Sequence, residues 1–273
     1  MDGEDYKIGE EEIQRIKEDI WKSGLPLEIE TSSKLKNYEW TVLIHDYYLD
    51  LEEGKNREID ICAFKRFDIN CPDFNFFHVS LIIECKKSEK PWVFYTTKKG
   101  KEFKFPSILI KSVGNPKIHK NLLSQERWMK ESHYFSPKFE KKAIIGYEAF
   151  TKGKRQRLFE ASMQVIKALA YLMMQDAKAL RFIEREGRNA LFIKYPVIVF
   201  DGHLLEYSLG DELKPVSYLQ YLVRHRFVNP FVDELVGFTF LIDVVRKDFL
   251  VEYLKILEEE FDAIKRKLVS WTR

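Results

Sequence analysis

The segment from Arg57 to Ser88, REIDICAFKRFDINCPDFNFFHVSLIIECKKS, constrains this chain more than any other stretch. Two apolar, β-branched runs flank a Cys-Pro-Asp turn signal at 71 to 73, which predicts an antiparallel hairpin folding about Pro72. Asp60 lies near the start of the first run and Glu84 near the end of the second, so the hairpin sets them opposite each other at one end. Side chains two apart on a strand share a face, so Lys86 joins the pair. Two carboxylates this close are unstable together without compensation. Either one carboxyl pKa rises or a metal binds, and a hard divalent ion takes oxygen ligands of this kind.

Pro72 and Asp73 supply a literal Pro-Asp that rivals Asp60. If FNFFHVSLIIE is one extended run, the chain from Asp73 to Glu84 spans about 35 Å at about 3.3 Å per residue. That places Asp73 at the far end of the hairpin, and CPD reads as a turn.

The ID at 59 to 60 and the ECK at 84 to 86, each set in or against an apolar strand, resemble the metal-dependent nucleases of the PD-(D/E)xK, or restriction-endonuclease-like, superfamily. The order of GLPLEIETSSKL, a strand containing YYLD, EEGKNREIDI and LIIECKKSEKPWVF is similar to that of restriction-like proteins as well. The resemblance implies an α/β fold with a mixed β-sheet flanked by helices. It implies that Asp60 and Glu84 bind Mg2+, with Mn2+ able to substitute, and that Lys86 aligns or activates the attacking water. The Cys85 carbonyl lies between them, with its side chain pointing the other way, and is a further candidate ligand. Members of the family often carry an acid on the first helix. Glu28, in PLE, is preferred for that place over Glu11, Glu12 and Glu18; a helix-start charge near the positive end of the dipole is an equal alternative.

Net charge is only +2, and its distribution is more telling than its sum. Residues 1 to 85 carry 10 basic against 20 acidic residues, residues 86 to 157 carry 19 against 6, and residues 158 to 273 carry 16 against 17. The basic block begins at Lys86 and is interleaved with Phe, Tyr and Trp. A positive field beside an acidic metal site suits a phosphodiester substrate, because phosphate contacts supply most non-specific affinity. Lys87, Lys98, Lys99, Lys101, Lys152, Lys154, Arg155 and Arg157 are the candidate nucleic-acid contacts. A solvated lysine-rich face is the alternative for any one of them.

Other chemistries find little support. Of three cysteines, none forms a C-x-x-C pair, and Cys62 and Cys85 sit in apolar strands as reduced structural thiols. The six histidines are scattered away from any Ser or Cys in a nucleophile context. There is no Walker motif, so ATP use would need another subunit. No apolar run approaches the roughly 18 residues of a membrane helix, and MDGEDYKIGEEE is no signal peptide, so the expected location is cytoplasmic. Asp201, before Gly202, reads as a turn residue, and Asp243 as a cap or a partner near Arg246; both stay outside the site. Trp92 and Phe94 could stack on bases, but alternating strand aromatics are usually core.

Periodicity predicts helices over 10 to 21, after Pro26, over 155 to 186 and over the closing KDFLVEYLKILEEEFDAIKRKL, with a short one at ERWMKES. Strands are expected at 39 to 51, in the hairpin, at PWVFYTT, EFKFPSILI and AIIGYEAF, around the DGH turn, and at YLQYLVRHRFV and GFTFLIDVVR. With no clear linker or repeat, residues 1–273 are expected to form a single restriction-endonuclease-like domain with N-terminal and C-terminal helical elaborations. The function that follows is metal-assisted phosphodiester hydrolysis, with DNA as the expected partner and a homodimer as the simplest way to cut both strands. The alternatives are a non-catalytic nucleic-acid-binding or assembly subunit on the same fold, and a defence effector gated by a partner subunit or small ligand.

Overall fold

A computed structural model describes residues 8–71, 74–100, 110–113, 132–151, 157–185, 189–208, 210, 212–229 and 234–270. The chain opens with helices α1 (Glu10–Lys22) and α2 (Leu25–Asn37). Three glutamates in the first turn of α1 and Lys22 in its last complement the helix dipole. Pro26 sits in the first turn of α2, where its missing N–H costs nothing. Strands β1 (Thr41–Asp50), β2 (Lys55–Cys71), β3 (Phe74–Lys87), β4 (Trp92–Lys98) and β5 (Ile110–Val113) follow. Two 3-10 turns, His133–Phe135 and Pro137–Phe139, precede β6 (Lys141–Glu148) and the long helix α3 (Arg157–Arg185). The rest comprises β7 (Ala190–Asp201), β8 (Leu204–Tyr207), β9 (Lys214–Pro215), β10 (Tyr218–Asn229), β11 (Glu234–Arg246) and α4 (Leu250–Ser270).

The 11 strands form one mixed sheet, ordered β1-β2-β3-β7-β11-β10-β6-β4-β8-β9, with β5 paired to β7 off this path. The architecture is therefore mixed α/β, a large sheet flanked by helices, as the sequence leads one to expect. β3, β7 and β11 are mutually parallel neighbours at its centre. Such strands are covered on both faces, which is why ALFIKYPVIVF of β7 is buried at every position. Lys194 within that run is tolerated because its ammonium meets Asp176 of α3 at 2.7 Å. The closing helix α4 buries Leu250, Leu254, Leu257, Phe261, Ile264 and Leu268, an apolar stripe of helical period against the core. Trp92 and Phe94 are fully buried, and Trp92 stacks on Phe200 with ring centroids 4.0 Å apart.

The sequence sets β7 and β8 around one turn, but they are not partners. β8 runs parallel to β4 instead. The chain swings away at Gly202, where a Cβ would meet the Ser88 carbonyl at 2.5 Å, so the close crossing requires glycine. The expected helix at ERWMKES lies, apart from Ser132, outside the described residues, as do Pro72, Asp73 and most of EFKFPSILI. Among the described residues no helix is long and apolar enough to cross a membrane.

Candidate metal centre

The β2–β3 register pairs Ile61 with Ile83 and Cys62 with Ile82, which carried one step further brings Asp60 opposite Glu84. On the other side of β2, β1 pairs Ile44 with Ile61 and Asp46 with Ile59, so His45 lies across from Asp60. Glu84 in turn faces Ile198 of β7. His45, Asp60 and Glu84 therefore stand abreast on three adjacent strands, Asp60 one residue beyond the end of the β2–β3 ladder at Ile61↔Ile83. Lys86, two residues on from Glu84, completes the cluster that the alternation of β3 requires.

The electrostatics of the row are those of an incomplete site. Glu84 is 0 % exposed, and its Oε1 accepts from the Lys86 ammonium. Its Oε2 is buried and accepts no hydrogen bond. Burial first, then the charge of Asp60, pushes the Glu84 carboxyl up to about 8, and Lys86 offsets only part of this. Asp60 Oδ2 accepts from the Cys85 N–H at 2.7 Å. Burial nonetheless raises the Asp60 pKa, against the pull of Lys86 and of that N–H. Burial alone would lower the Lys86 pKa, but Glu84 and Asp60 carry it above the ordinary lysine value, so the ammonium is firmly charged. The Cys85 side chain lies across the strand from this face, its Sγ 3.8 Å from Thr31 Oγ1 on α2. Cys62 and Cys85 are both free and buried. Burial pushes the Cys62 thiol up to about 12, so it is no nucleophile at neutral pH.

Glu28 belongs to the same group of charges. It sits in the first turn of α2, is buried, and has its pKa raised by burial first and by Asp60 second. Its Oε1 lies over Gly24, where a Cβ would stand 2.9 Å from it. Its Oε2 is 2.9 Å from His45 Nε2 as an ion pair, although the alignment does not make a hydrogen bond. His45 also places Nδ1 against Glu58 Oε1. The sequence reading passes over His45 and Glu58. The signal available was the polar interruption HD in the apolar strand TVLIHDYYL, opposite ID of the next strand. His45 adopts φ 55°, a left-handed conformation that costs a non-glycine residue on the order of 1–3 kcal/mol and persists only where contacts hold it.

Whether these residues suit a divalent ion can be judged from the donors themselves. Among the described residues no group of three or more His, Cys, Asp or Glu side chains is placed to hold a metal ion. Mg2+ does not require one; it keeps several waters and is commonly held by one or two carboxylates. Asp60 and Glu84, with an orphaned buried oxygen on Glu84, both pKa values raised by burial and that of Glu84 raised further by the charge of Asp60, fit that demand.

The candidate nucleic-acid contacts divide. Lys87 is exposed, with Nζ 3.1 Å from the Trp21 carbonyl at the end of α1. Arg157, exposed at the start of α3, donates to the Lys87 carbonyl at 2.9 Å. Lys98 is exposed and 3.5 Å from Glu140. Lys99 instead turns inward, donating to the Tyr134 and Phe139 carbonyls at 2.6 Å each, and burial lowers its pKa to about 8. Lys101, Lys152, Lys154 and Arg155 lie outside the described residues.

A second concentration of buried charge surrounds Asp243. Its Oδ2 accepts from Tyr253 at 2.7 Å and from Tyr134 at 3.1 Å and meets His133 Nε2 at 3.1 Å, while its Oδ1 accepts from Tyr218 at 2.7 Å. His133 Nδ1 meets Glu260 Oε2 at 2.5 Å, and Glu260 Oε1 accepts from Tyr195 at 2.7 Å. Burial alone would lower the His133 pKa, yet the two carboxylates carry it up to about 9. The expected pairing of Asp243 near Arg246 does not form; Arg246 binds Asp248 at 2.6 Å, because Asp243 points into the core on the other side of β11.

Compared with protein-family models, with curated proteins and with solved structures, the chain matches none of them.

Proposed function

We propose that this chain is a divalent-metal-dependent nuclease, built on a restriction-endonuclease-like fold and hydrolysing phosphodiester bonds in DNA. The observation that carries this reading is the cluster at the end of the β2–β3 ladder: Asp60, one residue beyond Ile61↔Ile83, accepts from the Cys85 N–H, Lys86 lies on the Glu84 carboxylate, and the second Glu84 oxygen is buried without a hydrogen bond. Such a pair is unstable unless something positive completes it. Asp60, Glu84 and the Cys85 carbonyl would hold Mg2+, or Mn2+ in its place, with Glu28 as a neighbouring oxygen donor. Bound there, the ion supplies Lewis-acid polarisation of a phosphate oxygen and lowers the pKa of water. The Lys86 ammonium, held charged by Glu84 and Asp60, orients the attacking water and offsets charge that builds on the phosphate. Lys87 and Arg157, exposed at the end of β3 and the start of α3, would bind the flanking backbone.

Plasmid cleavage in Mg2+ or Mn2+ by the wild type and by Asp60→Ala and Glu84→Ala tests this. Each variant is expected to lose at least about 10²-fold in rate, the scale of removing a transition-state electrostatic contact. Circular dichroism and melting temperature should be undiminished, since each substitution relieves a buried anion pair. Full activity in both variants would overturn the mechanism. Activity that appears only when a partner is added would move the reading to a gated effector.

A further inference from the structure

The two ends of the sheet are finished differently. At one end stands β9, the pair Lys214–Pro215; an edge so short, with a charge and a proline, offers almost nothing for another strand to join. At the other end stands β1, 10 residues with neither lysine nor proline, paired to β2 on one side and, among the described residues, to no strand on the other. An edge of this length carries a row of backbone donors and acceptors with no partner in the sheet. Asp46 Oδ1 accepts from the Tyr47 N–H at 2.9 Å, a side chain standing in for a strand's carbonyl. His45, at φ 55°, interrupts the edge, and beyond it Tyr47 and Leu49 are 66 % and 36 % exposed. Side chains two apart share a face, so both border the open edge together. The apolar surface continues from there. Of the 18 exposed large apolar side chains among the described residues, 11 lie between Ile8 and Leu49, on or beside α1, α2 and β1, which pack on one another in that order. Their combined area is comparable to the roughly 800 Å² that each partner covers in a standard interface, more than the scattered exposure of a monomer.

We propose that the open edge of β1 is a self-association surface: a second copy of this chain pairs its own β1 antiparallel to it about a two-fold axis, joining the two sheets into one, with the apolar surface of α1 and α2 beside the seam. Another strand matches the alternating donors and acceptors of such an edge in full, and the finishing of β9 decides which strand that is. Were both edges open, β1 of one copy could take the far edge of the next, and the assembly would grow without closing. With β9 blocked, β1 meets β1, and the assembly closes at two. Tyr47 and Leu49 of one copy then face those of the other across the new ladder, where apolar cross-strand pairs add to the backbone bonds. Pairing of this kind needs no metal centre and stands whether or not the chain is a nuclease.

Sedimentation equilibrium of the full chain over a concentration series, with hydrogen–deuterium exchange at the same concentrations, tests this. The wild type is expected to reach a dimer and no larger species, with exchange over β1 slowing as the dimer fills and exchange in β9 unaffected. The double variant Tyr47→Lys, Leu49→Lys sets like charges across the two-fold axis. Because each substitution occurs twice in the dimer, it is expected to weaken dimerisation about 100-fold or more. Both side chains are exposed, so the melting temperature of the monomer should change little. Should the double variant fail to fold, Tyr47→Lys alone and the wild-type exchange pattern carry the same comparison. A monomer at every concentration, whose edge would then await the strand of a different protein, overturns the proposal. So do assemblies beyond two copies, a dimer that the lysines leave intact, and a dimer in which exchange over β1 is indifferent to concentration.

Discussion

The Asp60–Glu84 row and the Asp243–Glu260 knot both bury two carboxylates in the same sheet and its helices, yet they treat them oppositely. In the knot every carboxylate oxygen of Asp243 and Glu260 has a partner among His133 and four tyrosines. In the row, Glu84 keeps a buried oxygen that accepts no hydrogen bond, Glu28 Oε2 has only its 2.9 Å contact with His45, and Asp60 raises the pKa of both. A satisfied buried network specifies one packing; an unsatisfied one costs stability and leaves room for a ligand. The difference makes the row, rather than the knot, the candidate site.

The largest effect should come from breaking the knot. His133→Ala leaves two buried carboxylates facing each other and is expected to cost about 3–5 kcal/mol, with the melting temperature falling by about 5–10 °C in a chain of this size. Chemical and thermal unfolding check this, and cleavage per folded molecule should stay unchanged. A loss of activity larger than the loss of folded protein would mean that the two regions are not separate.

The next effect distinguishes them by pH. Glu84, with its carboxyl raised from 4.5 to about 8, binds more protons folded than unfolded, so its contribution is fully present below about 4.5 and is lost as pH rises through about 8. His133, raised from 6.5 to about 9, contributes fully below about 6.5 and loses that contribution as pH rises through about 9. Glu84→Gln should abolish the first decline, worth roughly 2–3 kcal/mol after relaxation around so buried a group, and leave the second. Saturating Mg2+ should offset the first decline in the wild type and not the second. Stability curves at several pH values decide it; an unaltered curve in Glu84→Gln would remove the frustration argued for the row.

The smallest effect probes how finely the row is adjusted. Gly24 has an ordinary helical backbone, φ −70° and ψ −22°, so Gly24→Ala is free of backbone strain. Its new Cβ would stand 2.9 Å from Glu28 Oε1, and the flexible carboxylate must move. Mn2+ affinity should fall about 3- to 10-fold, toward the lower end for a disturbed ligand environment, with the melting temperature unchanged or slightly raised. Unchanged affinity would mean that Glu28 does not contribute to the centre.

The hairpin and its three charged residues were legible because the information is local. Two apolar runs of strand length fix a period of two, and a period of two fixes which of Asp60, Glu84, Cys85 and Lys86 share a face. The long helix α3 was legible for the same reason, as an apolar stripe of period 3.6. Glu28 stayed open because a helix-start acid serves the dipole or the site according to what the helix packs against. His45 was invisible because its backbone conformation has no local cause; it follows from two carboxylates on other elements. Lys99 was grouped with solvent-facing cations because a basic run does not show which lysine turns inward to two carbonyls.

By itself, then, the sequence determined the elements, the alternation within each, and the hairpin that brings Asp60 and Glu84 to one end of β2 and β3, since these follow from chain periodicity and the chemistry of turns. Tertiary structure alone decided which charges are completed and which are left wanting. His133 and Asp243 are 110 residues apart, and a buried ion's state depends on what surrounds it in space, through desolvation and Coulomb interaction, rather than on its neighbours along the chain.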